Sequence, residues 1–262
     1  MPAVLLLTLL GLGVAGAFVA GLLGVGGAIV MIPLLLYVPP LAGVGALDVK
    51  SVAAITMVQV FVAAFSGMLA HRRHQAVNAE LAWVGGLTMA VASFVGATAS
   101  KYVPDRWLLV IFAVMVTAAT PLMLLRSQGS ESPPAPAGPG RFSRPRTIAV
   151  TATVGVAAGM VGAGGAFLLV PLLLVVVGVP IRVTIGSSLA ITALAATAGV
   201  LGKLVTGQVP LAPALVVSLG ALPGAQLGAA VSRRLPPRSL KLALFLVIVA
   251  TGLRVWADVL TR

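Results

Sequence analysis

No Asp, Glu, Lys or Arg occurs between Met1 and Leu47. An uncharged apolar stretch of about 20 residues is already long enough to cross a hydrocarbon core about 30 Å thick as a helix. Inside lipid the backbone must satisfy its own hydrogen bonds, so such a stretch is helical. The rest of the chain continues in kind. It is 60% hydrophobic and 8% charged, against about a quarter charged in a soluble domain. The sequence therefore predicts an all-α integral membrane protein, with the lipid bilayer as its first partner. No charged region follows Met1 and the apolar stretch runs past Gly27, so the N-terminus reads as mature sequence rather than a cleaved leader.

The same feature recurs. Gly21-Leu-Leu-Gly-Val-Gly-Gly-Ala-Ile-Val-Met-Ile-Pro-Leu-Leu-Leu36 returns as Gly159-Met-Val-Gly-Ala-Gly-Gly-Ala-Phe-Leu-Leu-Val-Pro-Leu-Leu-Leu174, identical at 9 of 16 positions with an offset of 138. Ser51-Val-Ala-Ala-Ile-Thr56 returns as Ser187-Ser-Leu-Ala-Ile-Thr192 at offset 136, and Gly96-Ala-Thr-Ala-Ser returns as Gly228-Ala-Ala-Val-Ser at offset 132. Order and spacing are kept, so the chain is a duplicated unit. Residues 1–125 form the first transmembrane repeat and 147–262 the second. Between them, 126–146 is rich in Pro, Gly and Ser and reads as a flexible linker.

Each copy carries about five hydrophobic segments. They lie near 3–20, 26–38, 50–70, 78–99 and 106–125, then near 147–159, 165–178, 184–203, 211–231 and 240–258. The second segment of each copy is short for a full span. It is either a tilted short crossing or half of a re-entrant hairpin. An odd number of spans per copy turns the second copy upside down. Charge agrees with this. With the His71–His74 loop cytoplasmic, inverted copies place 11 of the 17 Lys and Arg inside, and parallel copies only nine. Cytoplasmic loops carry the excess of positive charge, so the expected fold is two inverted repeats with Gly-rich helix breaks at their interface. The N-terminus is then outside, and the linker is cytoplasmic.

Composition also excludes. There is no Cys, hence no disulfide, thiolate metal site or cysteine nucleophile. No zinc helix, P-loop or Ser/His/Asp set stands at membrane depth. An enzyme is not expected, and neither is any cofactor or metal. The net charge of +12 follows from loop lysines and arginines rather than from a nucleic-acid surface. The five acidic residues lie in or near loops, which argues against a buried carboxylate proton relay.

The candidate site follows from the breaks. Gly24, Gly26 and Gly27 match Gly162, Gly164 and Gly165, and each cluster precedes a new helix whose N-terminal end is partly positive. Two such ends facing one another hold an anion without a fixed cation. Close helix packing is the competing reason for small residues in a membrane. Ser51, Thr56, Ser187, Ser188 and Thr192 lie early in the third helix of each copy and can donate hydroxyl hydrogen bonds, or bond back to their own helix. Gln59 and Gln226 place amides in apolar helices, where a polar group requires a partner. Lys50, Arg182 and Lys203 stand near helix ends and are expected to snorkel to the headgroups, or one of them to serve as an entrance charge for an anion.

The doubled G-x-x-G-x-G-G-[GA], running through hydrophobic residues into Pro-Leu-Leu, resembles the sulfite exporter TauE/SafE family of bacterial permeases. Gly186-Ser-Ser-Leu-Ala is similar to that family's G-T-S-L stretch. Ala28 and Ala166 stand where the family often has a third Gly, and Lys50-Ser51-Val52 replaces a G-T-S in the first copy. The resemblance implies a bacterial inner-membrane transporter that exports small sulfur-containing anions such as sulfite or organosulfonates. The residues alone leave open a transporter or channel for another small organic anion, or a membrane partner subunit that transports nothing.

Overall fold

The computed structural model describes residues 3–23, 27–71, 78–128, 142–232 and 237–261. Every described element is a helix. The first copy supplies α1 (Ala3–Leu23), α2 (Ala28–Leu41), α3 (Val49–His71), α4 (Ala79–Ala99) and α5 (Asp105–Gln128). The second supplies α6 (Arg144–Val161), α7 (Ala166–Leu172, continued by a π-helical turn Leu173–Val177), α8 (Ile181–Val205), α9 (Leu211–Ser232) and α10 (Pro237–Thr261). All ten expected segments are therefore helices.

Five of them contain stretches long and apolar enough to cross a membrane: Val4–Leu22, Ala79–Ala99, Asp105–Leu122, Gly186–Val205 and Leu211–Gly228. Their outward faces carry exposed Leu7, Trp83, Leu87, Leu215 and Leu219. Such faces suit hydrocarbon and would be costly against water. The 14 residues of α2 cover only about 21 Å at 1.5 Å per residue. In α7, Pro171 takes away one backbone donor, and the turn that follows it is π-helical. Proline and π-bulges are the usual sources of such irregularity.

The two halves exchange helices. α1 packs along α9, and α4 along α6. Glycines let the backbones touch. A Cβ on Gly13 would strike the Val217 carbonyl, one on Gly21 that of Ala225, and one on Gly228 that of Phe18. Across the other pair, a Cβ on Gly96 would strike the Val156 carbonyl and one on Gly159 that of Ser93. These are the same contacts twice. Gly21–Ala225 and Gly159–Ser93 are related by the repeat offsets of 138 and 132, and so are Phe18–Gly228 and Val156–Gly96. Numbers climb together from Gly13–Val217 to Gly21–Ala225 and from Met89–Gly155 to Ser93–Gly159, so each pair runs in one direction. Gly220, Gly224 and Gly228, four apart, form the ridge that α1 rides on, an arrangement of small residues that gives membrane helices their close approach.

The long helices α3 and α8 pack against each other at the centre. Val52 to Met57 of α3 and Ile191 to Ala193, Ala195 and Ala196 of α8 are buried. α5 and α10 meet on the flank, where the Trp256 indole donates to the Thr117 hydroxyl at 3.0 Å. α10 also holds α2, with the Arg254 guanidinium 4.7 Å over the Tyr37 ring.

Candidate functional site

The glycine breaks converge on α3. Gly27, the residue before α2, lies against the Gln59 amide; a Cβ there would stand 2.8 Å from Nε2 and 3.1 Å from Oε1. From the second break, Gly162 abuts the Ala53 carbonyl and Gly164 abuts Val60. Ala53, Thr56 and Val60 are spaced by three and four residues, so they share one face of α3. Gly24 and Gly26 lie outside the described residues.

The backbone requires glycine in the second break. Gly162 closes α6 in the left-handed conformation (φ 78°), a common helix stop. Gly164 and Gly165 follow at φ 62° and 73°. Gly165 does not face α3; it is wedged among Met89, Val154 and Ala158 and so belongs to the packing of α4 and α6. At the first break, the Gly27 carbonyl accepts from the Val30 and Met31 N–H groups at 3.2 and 2.9 Å.

The hydroxyls separate into two groups. Nearly every threonine described donates to a carbonyl on its own helix one turn back, as Thr88, Thr117, Thr151 and Thr197 do. Thr251 reaches across to the Ile29 carbonyl. Thr56 and Thr192 are different: both are buried and neither hydroxyl has a hydrogen-bond partner among the described residues. They are repeat equivalents, one on each central helix. Gln59 Oε1, the Ser93 hydroxyl and the Ser218 hydroxyl are likewise buried and unpaired. Ser93 sits where α3, α4 and α8 meet, next to Met57 and Gly199. A buried polar atom without a partner costs about 1–3 kcal/mol, so each of these atoms calls for an explanation.

The remaining sequence candidates lie elsewhere. The Ser187 hydroxyl accepts from the Asn78 N–H at 3.2 Å and ties α8 to the start of α4. Ser188 is buried beside it. Ser51 is half-buried at the start of α3, where its N–H donates to Asp48 Oδ2 at 3.1 Å. Gln226 is exposed on α9.

Lys203 departs from expectation. It does not snorkel; the whole residue is buried. Its ammonium donates to Ser100 Oγ at 2.7 Å, to the Met160 carbonyl at 3.2 Å and to Gln208 Oε1 at 3.3 Å. These partners come from the ends of α4 and α6 and from the segment after α8. Helix C-termini carry partial negative charge and unpaired carbonyls, which is why the cation is held there.

Comparison with known proteins fits this architecture. The family model described as Sulfite exporter TauE/SafE matches residues 9–255. The chain is 25% identical over 256 residues to "Probable membrane transporter protein YunE" of Bacillus subtilis (strain 168), covering 92% of this chain and 93% of that protein. It is 30% identical over 197 residues to a "Probable membrane transporter protein" of Xylella fastidiosa (strain Temecula1 / ATCC 700964), covering 70% and 68%. "Probable membrane transporter protein YdhB" of Bacillus subtilis is 25% identical over 245 residues, 90% of this chain and 94% of that one. No solved structure matches the chain.

Proposed function

The chain belongs to the sulfite exporter TauE/SafE family and is a multi-pass membrane transporter rather than an enzyme; on that premise we propose that it exports small sulfur-containing anions, sulfite or organosulfonates, by alternating access. The observation that carries the reading is the pair Thr56 and Thr192, equivalent in the two halves and each burying a hydroxyl without a partner among the described residues. Two hydroxyls and the Gln59 amide can donate to oxyanion oxygens. The amide's other end accepts from the proton of hydrogensulfite or from a donor on an organosulfonate. The N-terminus of α2, against which Gln59 lies, adds partial positive charge. Oxyanion recognition by neutral donors of this kind needs no bound cofactor or metal.

Alternating access follows from opposed halves, and the packing supports opposition. α4 runs with α8, because Gly85 lies against Ile191, Gly86 against Leu194 and Gly202 against Ala97. The loop between Val205 and Leu211 is too short to recross a bilayer about 30 Å thick, so α9 returns against α8. α1 runs with α9 and α6 with α4, so α6 runs opposite to α1. Inverted halves around a midplane site with broken helices are the arrangement of many secondary transporters. The positive-inside count then puts the N-terminus outside a bacterial inner membrane and the 126–146 linker in the cytoplasm.

Reconstituted protein tests the proposal. Labelled sulfite should accumulate transiently against its gradient in vesicles preloaded with unlabelled sulfite. Flux that rises linearly without saturation would instead indicate a channel. Absence of flux for sulfite and for simple sulfonates would remove the substrate assignment.

A further inference from the structure

Lys203 is a buried cation that meets only neutral acceptors. Its Nζ lies within hydrogen-bond distance of a hydroxyl, a backbone carbonyl and an amide oxygen. The Arg144–Glu80 ion pair is elsewhere. The network is closed on itself. Ser100 Oγ lies 3.0 Å from Gln208 Oε1 and also donates to the Ala97 carbonyl at 2.7 Å, and Gln208 Nε2 donates to the Ala97 carbonyl at 3.1 Å. A second ammonium, Lys50, donates to the Lys101 carbonyl at 2.8 Å, one residue from Ser100. A charge in this setting is costly, and such residues in membrane segments are generally functional.

The contact with Met160 gives the charge its reach. Met160 lies two residues before Gly162, where α6 stops. Gly162 in turn rests on the Ala53 carbonyl, one turn before Thr56. A short chain of contacts therefore runs from the ammonium through the end of α6 to the face of α3 that bears the unpaired hydroxyl.

The geometry points to Lys203 as a positioning residue for anion transport: its ammonium fixes the end of α6, and with it the second glycine break against α3, while its uncompensated charge favours an anion there. The role in selectivity rests on the anion-transport reading above; the role in holding the break does not.

Full-length Lys203→Met, Lys203→Arg and Ser100→Ala proteins, reconstituted in liposomes, test both parts with sulfite as the probe. Lys203→Met is expected to raise KM for sulfite about tenfold, the loss expected for one charged hydrogen-bond donor. Lys203→Arg keeps the charge and should return KM to within about threefold of the wild type. Ser100→Ala removes one acceptor and should raise KM less, and it carries the test if Lys203→Met does not fold. Amide hydrogen exchange over 158–165 should quicken in the Met and Ala variants, while exchange over α10 stays as in the wild type. Unchanged exchange over 158–165 overturns the positioning role. A Lys203→Arg protein as impaired as Lys203→Met, or a KM equal to wild type in every variant, overturns the role of charge. If wild-type protein moves no sulfite, the substrate assignment falls, and the exchange measurement still decides the positioning role.

Discussion

Thr56 and Thr192 stand at equivalent places in the two halves, and both bury a hydroxyl with no hydrogen-bond partner among the described residues. Thr197, on the same helix as Thr192, donates instead to the Ala193 carbonyl one turn back. Replacing Thr56 or Thr192 with Val keeps the shape and removes the orphaned oxygen. Thermal stability in detergent should hold or rise slightly, since nothing is left unpaired. KM for sulfite should rise about tenfold for each substitution, the worth of a hydrogen bond to a charged ligand. Equal KM values in Thr56→Val and wild type would separate the hydroxyl from the substrate.

Gly27 and Gly165 should respond differently to Leu. At Gly27 the new side chain meets the end of a flexible amide. Gly27→Leu should therefore insert and fold while losing transport. Gly165 has φ 73° and faces Met89, Val154 and Ala158. Gly165→Leu combines backbone strain with overpacking, and its yield of folded protein should fall along with its transport. Size-exclusion profiles beside uptake assays distinguish the two.

The exchanged helix pairs should be equally intolerant of a methyl group. Gly96→Ala drives a Cβ into the Val156 carbonyl, and Gly228→Ala drives one into that of Phe18. Each should cost about 1–3 kcal/mol, seen as a lower unfolding midpoint. Gly11→Ala meets nothing within 4 Å and should be neutral, or stabilising by up to about 1 kcal/mol through helix propensity.

Two polar substitutions should change little. Arg144 and Glu80 join the starts of α6 and α4, with side chains 69% and 37% exposed. An ion pair so accessible contributes at most about 1 kcal/mol, less in salt, so Glu80→Gln should transport as wild type. Gln226→Leu, on the outer face of α9, should do the same. Transport loss in Gln226→Leu would bring α9's exposed face into the translocation route.

Much of this arrangement was legible in the chain itself. Ten helices follow from apolar length, and the duplication follows from the paired Gly-rich runs. The unpaired Thr56 and Thr192 fall within a repeated Ser-to-Thr stretch, so their equivalence was visible; their lack of partners was not, because back-bonding is decided by rotamer and neighbours. Lys203 misled for a physical reason. A lysine near a helix end ordinarily reaches for water, and its acceptors at Ser100 and Met160 are distant in sequence, leaving no local pattern to read. Ser93 and Ser218 escaped notice as single serines in long apolar helices. Gln226 looked like Gln59 because a sequence shows that an amide is in a helix but not which way the helix is turned.

The pairing of α1 with α9 has a consequence for how the protein is made. α1 leaves the ribosome well before its glycine-ridged partner α9 has been synthesised. At ordinary elongation rates that interval is about 10–40 s. During it, α1 must remain in lipid by its own hydrophobicity, without its main protein contact. Its uncharged sequence meets that requirement on its own. A chain that stops before α9 leaves α1 without a mate, and such a fragment would present a bare helix face to membrane quality control.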